Sequence, residues 1–201
     1  MNRELYQATP IHYNVKSHSK NIRQLIDNSS LVITTQSLKD SLKKMSFHTP
    51  KLYGQIKLHK ENHPIRPVTA AHSDPSFSLA KFLNNWFRTY TNFKPRFTIR
   101  NSLELTKKLS EHSFPLESCL CSFDVSSMYT RIPVTEIIEL MCESLSTASL
   151  DVSVVNQFRK LISACISRNI CSFQDQLMNF RMVFPWRSSQ CSCCGFLHGS
   201  S

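Results

Sequence analysis

The chain has 201 residues, a length that suits one domain with a substantial core or two smaller lobes. Hydrophobic residues make up 41% of it, which excludes a chain that is disordered by composition, and the net charge is +10. This charge fits a nucleic-acid partner, and it fits equally a basic surface that only keeps the protein soluble. No apolar run could span a bilayer and the polar start lacks the core of a secretory signal. We therefore expect an intracellular protein, nuclear or cytoplasmic, that is not secreted and has no membrane partner.

The eight cysteines are unevenly placed, because none precedes Cys119 and three crowd the last eleven positions. Secreted disulfide scaffolds spread their cysteines through the chain, so a disulfide framework is not expected here. Four cysteines fall in apolar patterns and are predicted to be reduced thiols of the core. These are Cys119, Cys121, Cys142 and Cys165.

The first 45 residues form a basic region for which one or two short helices are predicted. Leu38, Leu42 and Met45 follow a helical spacing, and the neighbouring lysines lie off that stripe. Residues 49 to 69 predict a hairpin instead, with KLYGQIKLHK as a strand, ENHP as a turn and IRPVT as extended chain. The hairpin carries the basic side chains of Lys51, Lys57, His59, Lys60 and Arg66. The alternative is a solvated edge hairpin that is merely protected by its charges.

Helices are predicted next. Asp74 is expected to cap a helix with Pro75 in its first turn, and the aromatic residues of this helix favour core packing over a base-stacking surface. The residues expected to be buried are Phe77, Ala80, Leu83, Trp86 and Phe87. Ser102 is expected to cap a short helix that holds Leu103, Leu105, Thr106 and Leu109.

The remaining elements alternate unevenly, which suits an α+β fold. Residues 119–124 alternate like a half-buried strand, a helix opens at Pro133 and Thr135, and residues 151–168 form the clearest helix. Residues 170–184 predict a hairpin with QDQ near its turn. The apolar positions of the two helices are Ile137, Ile138, Met141, Leu145, Val154, Val155, Phe158, Leu161, Ile162, Cys165 and Ile166.

The segment SFDVSSMYTRIP, residues 122–133, is the one that suggests chemistry. A carboxylate at the end of a strand, here Asp124, is rigidly placed and can bind a divalent metal such as Mg²⁺. The carbonyl of Val125 could supply a second oxygen, and Tyr129 falls where a ring could lie under a bound sugar. On local pattern alone, an aspartate that caps a turn is the favoured explanation of the segment.

The stretch FDVSSMYTRIP resembles the first catalytic palm motif of reverse transcriptases, in the form found in Penelope-like retroelements. That family has a pattern close to Phe-Asp-Val-x-Ser-Leu-Phe-Thr-x-Ile-Pro. The upstream stretch KLYGQIKLHKENHPIRPVTAAHSDPSFSLAKFL is similar to the family's Tyr-Gly-Leu-Pro-Lys-Ile-His-Lys, followed by Arg-Pro-Ile and a Pro-led helix. The resemblance covers residues 46–185. Gln55 and Ile56 depart from it, because the family has Leu-Pro there.

The resemblance implies an RNA-directed DNA polymerase of a retrotransposon that uses Mg²⁺, an RNA template, a DNA primer and deoxynucleoside triphosphates. It implies an α+β right-hand polymerase with fingers over residues 46–115 and a partial palm over 116–185, behind the N-terminal region 1–45. Asp124 would bind the catalytic metals with the carbonyl of Val125. Tyr129 would exclude a ribose 2′-hydroxyl. Lys57 and Arg66 would lie near the triphosphate or template, and Lys51, His59 and Lys60 would contact nucleic acid.

The palm expected from this resemblance is incomplete. The family needs further carboxylates from a Tyr-x-Asp-Asp hairpin, and no Asp-Asp pair occurs in this chain. We therefore expect a truncated, inactive polymerase, with the thumb and any endonuclease domain also missing. The alternatives are a basic nucleic-acid-binding fragment without catalysis, and a chain that forms no stable fold.

The tail at residues 186–201 carries Cys191, Cys193, Cys194 and His198. Read one base later from Trp186, degenerate codons permit Gly-Ala-Pro-Leu-Ser-Val-Leu-Val-Ala-Asp-Phe-Phe-Met-Glu, which resembles the family's next motif. A frameshifted tail is therefore our prediction. The alternative is a zinc site, but the cysteine spacing fits no common zinc pattern, and zinc is not expected.

Overall fold

The computed structural model describes residues 6–8, 15–44, 48–59, 61–70, 72, 74–93, 98–119, 121–123, 133–166 and 170–180. Within these ranges the helices are α1 (Val15–Asp27), α2 (Gln36–Lys43), α3 (Phe77–Thr91), α4 (Ser102–Ser110), α5 (Val134–Thr147) and α6 (Val152–Ile166). The strands are β1 (Tyr6–Ala8), β2 (Leu52–Ile56), β3 (Ile65–Thr69), β4 (Ile170–Phe173) and β5 (Gln176–Phe180). Among the described helices, none has the length and hydrophobicity needed to cross a bilayer.

The hydrophobic core is built by helices from both ends of the chain. The apolar stripes of α5 and α6 predicted from the sequence face this core, and residues of α1, α2 and α3 join them. Phe158 lies at the centre, with its ring stacked on those of Trp86 and Phe87 at centroid distances of 5.5 and 5.9 Å. Full burial of one such side chain stabilises the fold by about 1.5–3 kcal/mol. Residues of the N-terminal region thus share one core with α5 and α6.

The predicted helical stripe is confirmed at two of its positions, because α2 buries Leu42 and half-buries Leu38, while Met45 lies outside the described residues. Two helix starts differ from the predictions. Helix α3 begins at Phe77 rather than at Pro75, since the carboxylate of Asp74 accepts a hydrogen bond from the Ser76 N–H at 2.8 Å and closes a turn before the helix. Helix α4 is capped by Asn101, whose side chain accepts from the Glu104 N–H at 2.9 Å.

The expected burial of α3 is confirmed for two positions and is only partial at the others. Leu83 and Phe87 are buried together with Leu79, whereas Phe77, Ala80 and Trp86 are half-buried. In α4 the expected apolar face covers nothing, because Leu103 is 79% exposed and no residue of that helix is buried.

The two predicted hairpins are both confirmed. Strands β2 and β3 pair antiparallel from Leu52↔Thr69 to Ile56↔Ile65, and β5 pairs antiparallel with both β4 and β1. The turn between β4 and β5 consists of Gln174 and Asp175, which both have positive φ. Two consecutive left-handed residues are typical of a tight type I′ hairpin turn. The protein therefore combines helices with two small antiparallel sheets, whereas the right-hand polymerase arrangement stays a prediction.

A strand was expected at residues 119–124. The described residues of this stretch do not form one. Residues 119 and 121–123 belong to no helix or strand and are exposed. The prediction that Cys119 and Cys121 are core thiols is therefore wrong, while Cys142 is buried as predicted and Cys165 is half-buried. Alternation of apolar residues indicates a strand only if a neighbouring strand is there to pair with it.

Candidate nucleic-acid interface

The β2–β3 hairpin is anchored at one end and projects at the other. Side chains alternate between the two faces of a strand, so Leu52, Gly54 and Ile56 share one face. Leu52 and its partner Thr69 are buried at the base, whereas Ile56 and Ile65 near the tip are 60% and 69% exposed. The hairpin therefore presents its tip to the surroundings, with Lys57 directly after β2.

The base of the hairpin is held by the second sheet. The N–H of Ser172 in β4 donates to the carbonyl of Pro50 at 2.8 Å, and Lys51 forms an isolated parallel bridge with Ser172. This contact joins two segments that are about 120 residues apart in the sequence. Sequence reasoning missed it, since neither Pro50 nor Ser172 carries a signal that specifies its partner. The contact positions Lys51 at the junction of the two hairpins.

The basic side chains of the hairpin are accessible to an outside anion. Lys51, His59 and Arg66 are exposed and Lys57 is half-buried. The backbone N–H of Lys57 donates to the carbonyl of Pro64 at 3.0 Å, which continues the ladder by one residue beyond the strands. No ion pair within the described part of the chain involves Lys51, Lys57 or Arg66. Their charges are therefore not neutralised there by a protein carboxylate.

The turn at the tip has a defined backbone conformation. Asn62 and His63 both have positive φ, at 59° and 41°, where asparagine and histidine are more common than most residues. The ENHP turn predicted from the sequence is therefore confirmed in place. It directs His59 and Lys57 to the same end of the hairpin as the exposed Ile56–Ile65 pair.

The catalytic residues implied by the resemblance lie outside the described residues. This holds for Asp124, Val125 and Tyr129, and also for Lys60 of the hairpin and for the whole cysteine-containing tail. Among the described residues, no three or more histidine, cysteine, aspartate or glutamate side chains are grouped as a metal site. The structure thus brings Lys51, Lys57, His59 and Arg66 onto one hairpin, and it gives no position for the predicted metal ligands.

The other charged contacts are explained by helix packing. Glu139 of α5 pairs with Arg159 of α6 through both guanidinium nitrogens, one of them at 2.7 Å, and this hydrogen bonding lowers the pKa of the Glu139 carboxyl. Lys43 bonds Asp27 at 2.6 Å, which raises the pKa of the lysine and ties α2 to the end of α1. A groove of about 560 Å³ lies beside the Arg159 pair, between α5 and α6, and it is lined by Cys142, Glu143, Ser146, Thr147, Val152, Val155, Asn156 and Arg159.

Comparisons with protein families, with curated proteins and with solved structures each returned no match for this chain. The likeness to reverse transcriptases therefore depends on the residues of the two sequence motifs. Of these two, the upstream motif lies largely within the described residues and the FDVSSMYTRIP motif lies largely outside them.

Proposed function

We propose that the chain represents the fingers and a partial palm of an RNA-directed DNA polymerase from a Penelope-like retroelement, and that by itself it does not polymerise. The observation that carries this proposal is the order and spacing of the two motifs. The fold supports the proposal through the β2–β3 hairpin, which the upstream motif forms. Lys57 lies beside the tip of this hairpin and Arg66 lies on β3. Polymerase fingers need such cations because the triphosphate and the template are polyanions.

The lack of catalysis follows from the carboxylates of the sequence. Two-metal phosphoryl transfer needs several carboxylate oxygens held in fixed positions. Asp124 could provide one carboxylate and Val125 one carbonyl, but no two of the chain's acidic residues are adjacent in sequence. The described residues do not supply a further acidic cluster either. On this proposal the donor set is incomplete for a pair of Mg²⁺ ions, and no catalytic step is assigned to this chain.

The second candidate function is nucleic-acid binding without catalysis. It is favoured by Lys51, Lys57 and Arg66 of the hairpin, which form no ion pair among the described residues. Each phosphate neutralised on a single strand contributes about 0.7 to the slope of log affinity against log salt. If Lys57 and Arg66 each contact one phosphate, replacing either by alanine lowers that slope by about 0.7. Replacing both lowers it by about 1.4, because two independent contacts add.

The binding test is a salt titration with a single-stranded RNA of mixed sequence. The variants are Lys57→Ala, Arg66→Ala and the double variant, and the charge-matched control is Lys107→Ala on the exposed side of α4. We expect the hairpin variants to lower both affinity and slope, and Lys107→Ala and Asp124→Ala to change neither. If Lys107→Ala and Lys57→Ala lowered RNA affinity equally, the whole basic surface would bind RNA. That result would refute a site on the hairpin.

The polymerase test is primer extension on an RNA template with Mg²⁺ or Mn²⁺. We expect no template-dependent extension. Extension that disappears in Asp124→Ala would overturn the proposed inactivity and would establish the polymerase activity of this chain. Binding without extension, together with the hairpin-specific salt slopes, is the combination expected of a non-catalytic binding fragment.

A further inference from the structure

Two exposed cysteines lie side by side in the segment between α4 and α5. The Sγ atoms of Cys119 and Cys121 are 4.0 Å apart. Both side chains are exposed, and the described residues from 111 to 123 contain no helix or strand. Two thiols at this separation and in contact with water form a reactive arrangement that the core packing does not explain.

The other described cysteines have a different environment. Cys142 and Cys171 are buried and Cys165 is half-buried, and desolvation raises the pKa of each thiol, to about 12 for Cys171. The thiolate is the nucleophile in thiol chemistry, so burial suppresses the reactivity of these three. A reagent in water therefore meets Cys119 and Cys121 first within the described part of the chain.

We propose that Cys119 and Cys121 form a dithiol site that low-molecular-weight disulfides oxidise reversibly to an intramolecular disulfide. In the first step one thiolate attacks a sulfur of the reagent, forming a mixed disulfide and releasing one equivalent of reagent thiol. In the second step the neighbouring thiolate attacks the protein sulfur of that mixed disulfide and expels the second equivalent. Two protein thiols are oxidised and one reagent disulfide is reduced to two thiols.

The chain geometry permits the closed bond. Residues two apart are separated by about 7 Å in fully extended chain, and disulfides span Cα distances of about 4.4–6.8 Å, so only a slight bend is required. A paired strand would resist that bend because its ladder hydrogen bonds fix the backbone. Residues 119 and 121–123 belong to no strand, so no ladder hydrogen bond opposes the bend at these residues. Exposed disulfides of this kind are readily reduced again, which makes the step reversible.

Trypsin separates the relevant cysteines, so the test can be made on the full chain. Cleavage after Lys108 and Arg131 gives the peptide 109–131, which contains Cys119 and Cys121 and no other cysteine. Cys142 lies on the peptide 132–159, and the tail cysteines lie on the peptide 188–201. The folded protein is exposed to glutathione disulfide, the remaining thiols are alkylated at intervals, and the peptides are weighed by mass spectrometry. Cys121→Ser is the matched variant, because it keeps the first thiol and removes the second.

We expect peptide 109–131 to lose the mass of two hydrogens and to regain it with reduced glutathione. In Cys121→Ser the same peptide should carry one glutathione instead, because no second thiol can expel it. The reaction should be at least about tenfold faster than that of the Cys142 peptide, since exposure of a buried thiol requires local opening. In denaturant the two peptides should react at similar rates, because Cys142 is then exposed as well.

Three results would overturn the proposal. The first is a peptide 109–131 that carries two glutathiones, which would mean that the thiols do not reach each other. The second is a disulfide between peptide 109–131 and another peptide. The third is the absence of reaction at this peptide while the alkylating reagent modifies it. None of these outcomes bears on RNA binding by the hairpin, so the dithiol site and the proposed function are tested separately.

Discussion

Replacement of Phe87 by alanine is expected to destabilise the helical core strongly without acting through nucleic acid. Phe87 has no exposed surface, and its ring centroid lies 5.9 Å from that of Phe158 and 6.2 Å from that of Phe93. A base can stack only on an accessible ring, so this enclosed ring belongs to the core. Truncation of a buried phenylalanine removes its contacts and leaves a cavity, and the two effects together cost about 3–5 kcal/mol.

That loss is large compared with the total stability of a domain, which is about 5–15 kcal/mol. For 150–250 residues each kcal/mol shifts the melting temperature by about 2–4 °C, so a shift of about 6–20 °C is expected. Urea unfolding followed by circular dichroism measures the loss of stability as a fall in the urea midpoint at unchanged slope. Leu103→Ala is the control, because this side chain is 79% exposed and such changes stay within about 0.5 kcal/mol.

Two results would refute this reasoning. An unchanged urea midpoint in Phe87→Ala, with RNA binding reduced, would show that the aromatic residues of α3 act as a stacking surface after all. A parent protein that unfolds without any cooperative transition would mean that the chain has no stable core. That second result would also support the alternative in which the isolated chain does not fold.

Three further predictions concern the surface and the hairpin. The hydrogen bond from Arg159 holds the pKa of Glu139 below its ordinary value, so this pair should stabilise the protein at neutral pH. The stabilisation should be lost as the pH falls through the lowered pKa. Urea midpoints measured from neutral to strongly acidic pH should therefore fall less steeply in Glu139→Gln than in the parent. A Cβ on Gly54 would lie 2.8 Å from Cγ2 of Ile65, so Gly54→Ala should destabilise the hairpin. The cost should stay below the about 1–3 kcal/mol of core overpacking because Ile65 is 69% exposed, and a double-mutant cycle should show a smaller cost in an Ile65→Ala background. Amides of α4 should exchange with deuterium faster than those of α6, because α4 buries no residue and α6 buries five; equal protection would contradict the exposure of α4.

Burial was predicted most accurately from the sequence where an apolar stripe meets another apolar element in the fold. The stripes of α5 and α6 repeat with the helical period, and each stripe meets another apolar helix, so Met141 and Phe158 are buried as expected. The β4–β5 hairpin was predictable from its strands and the polar residues between them. In α4 the same kind of pattern failed, because Leu105 and Leu109 have a helical spacing but remain 41% and 42% exposed.

Helix starts were predicted less well than helices. Asp74 and Ser76 both have side chains that can accept a hydrogen bond from a free backbone N–H, so the sequence alone does not decide which residue begins α3. Asn101 and Ser102 present the same ambiguity for α4, and the cap is the residue whose backbone is extended, with φ at −160°. The contact between Pro50 and Ser172 was not predictable at all, since backbone groups provide it.

Nucleic-acid binding and metal catalysis, the two activities considered for this chain, make different structural demands. Phosphate contacts need cations on a hairpin whose position is fixed, and the β2–β3 ladder together with the bond from Ser172 to Pro50 provides that. Metal catalysis needs a carboxylate held rigidly, yet residues 121–123, which directly precede Asp124, belong to no strand. The proposed RNA binding depends on the hairpin and does not require a carboxylate at Asp124. A hairpin variant should therefore lose RNA binding, and Asp124→Ala should retain it.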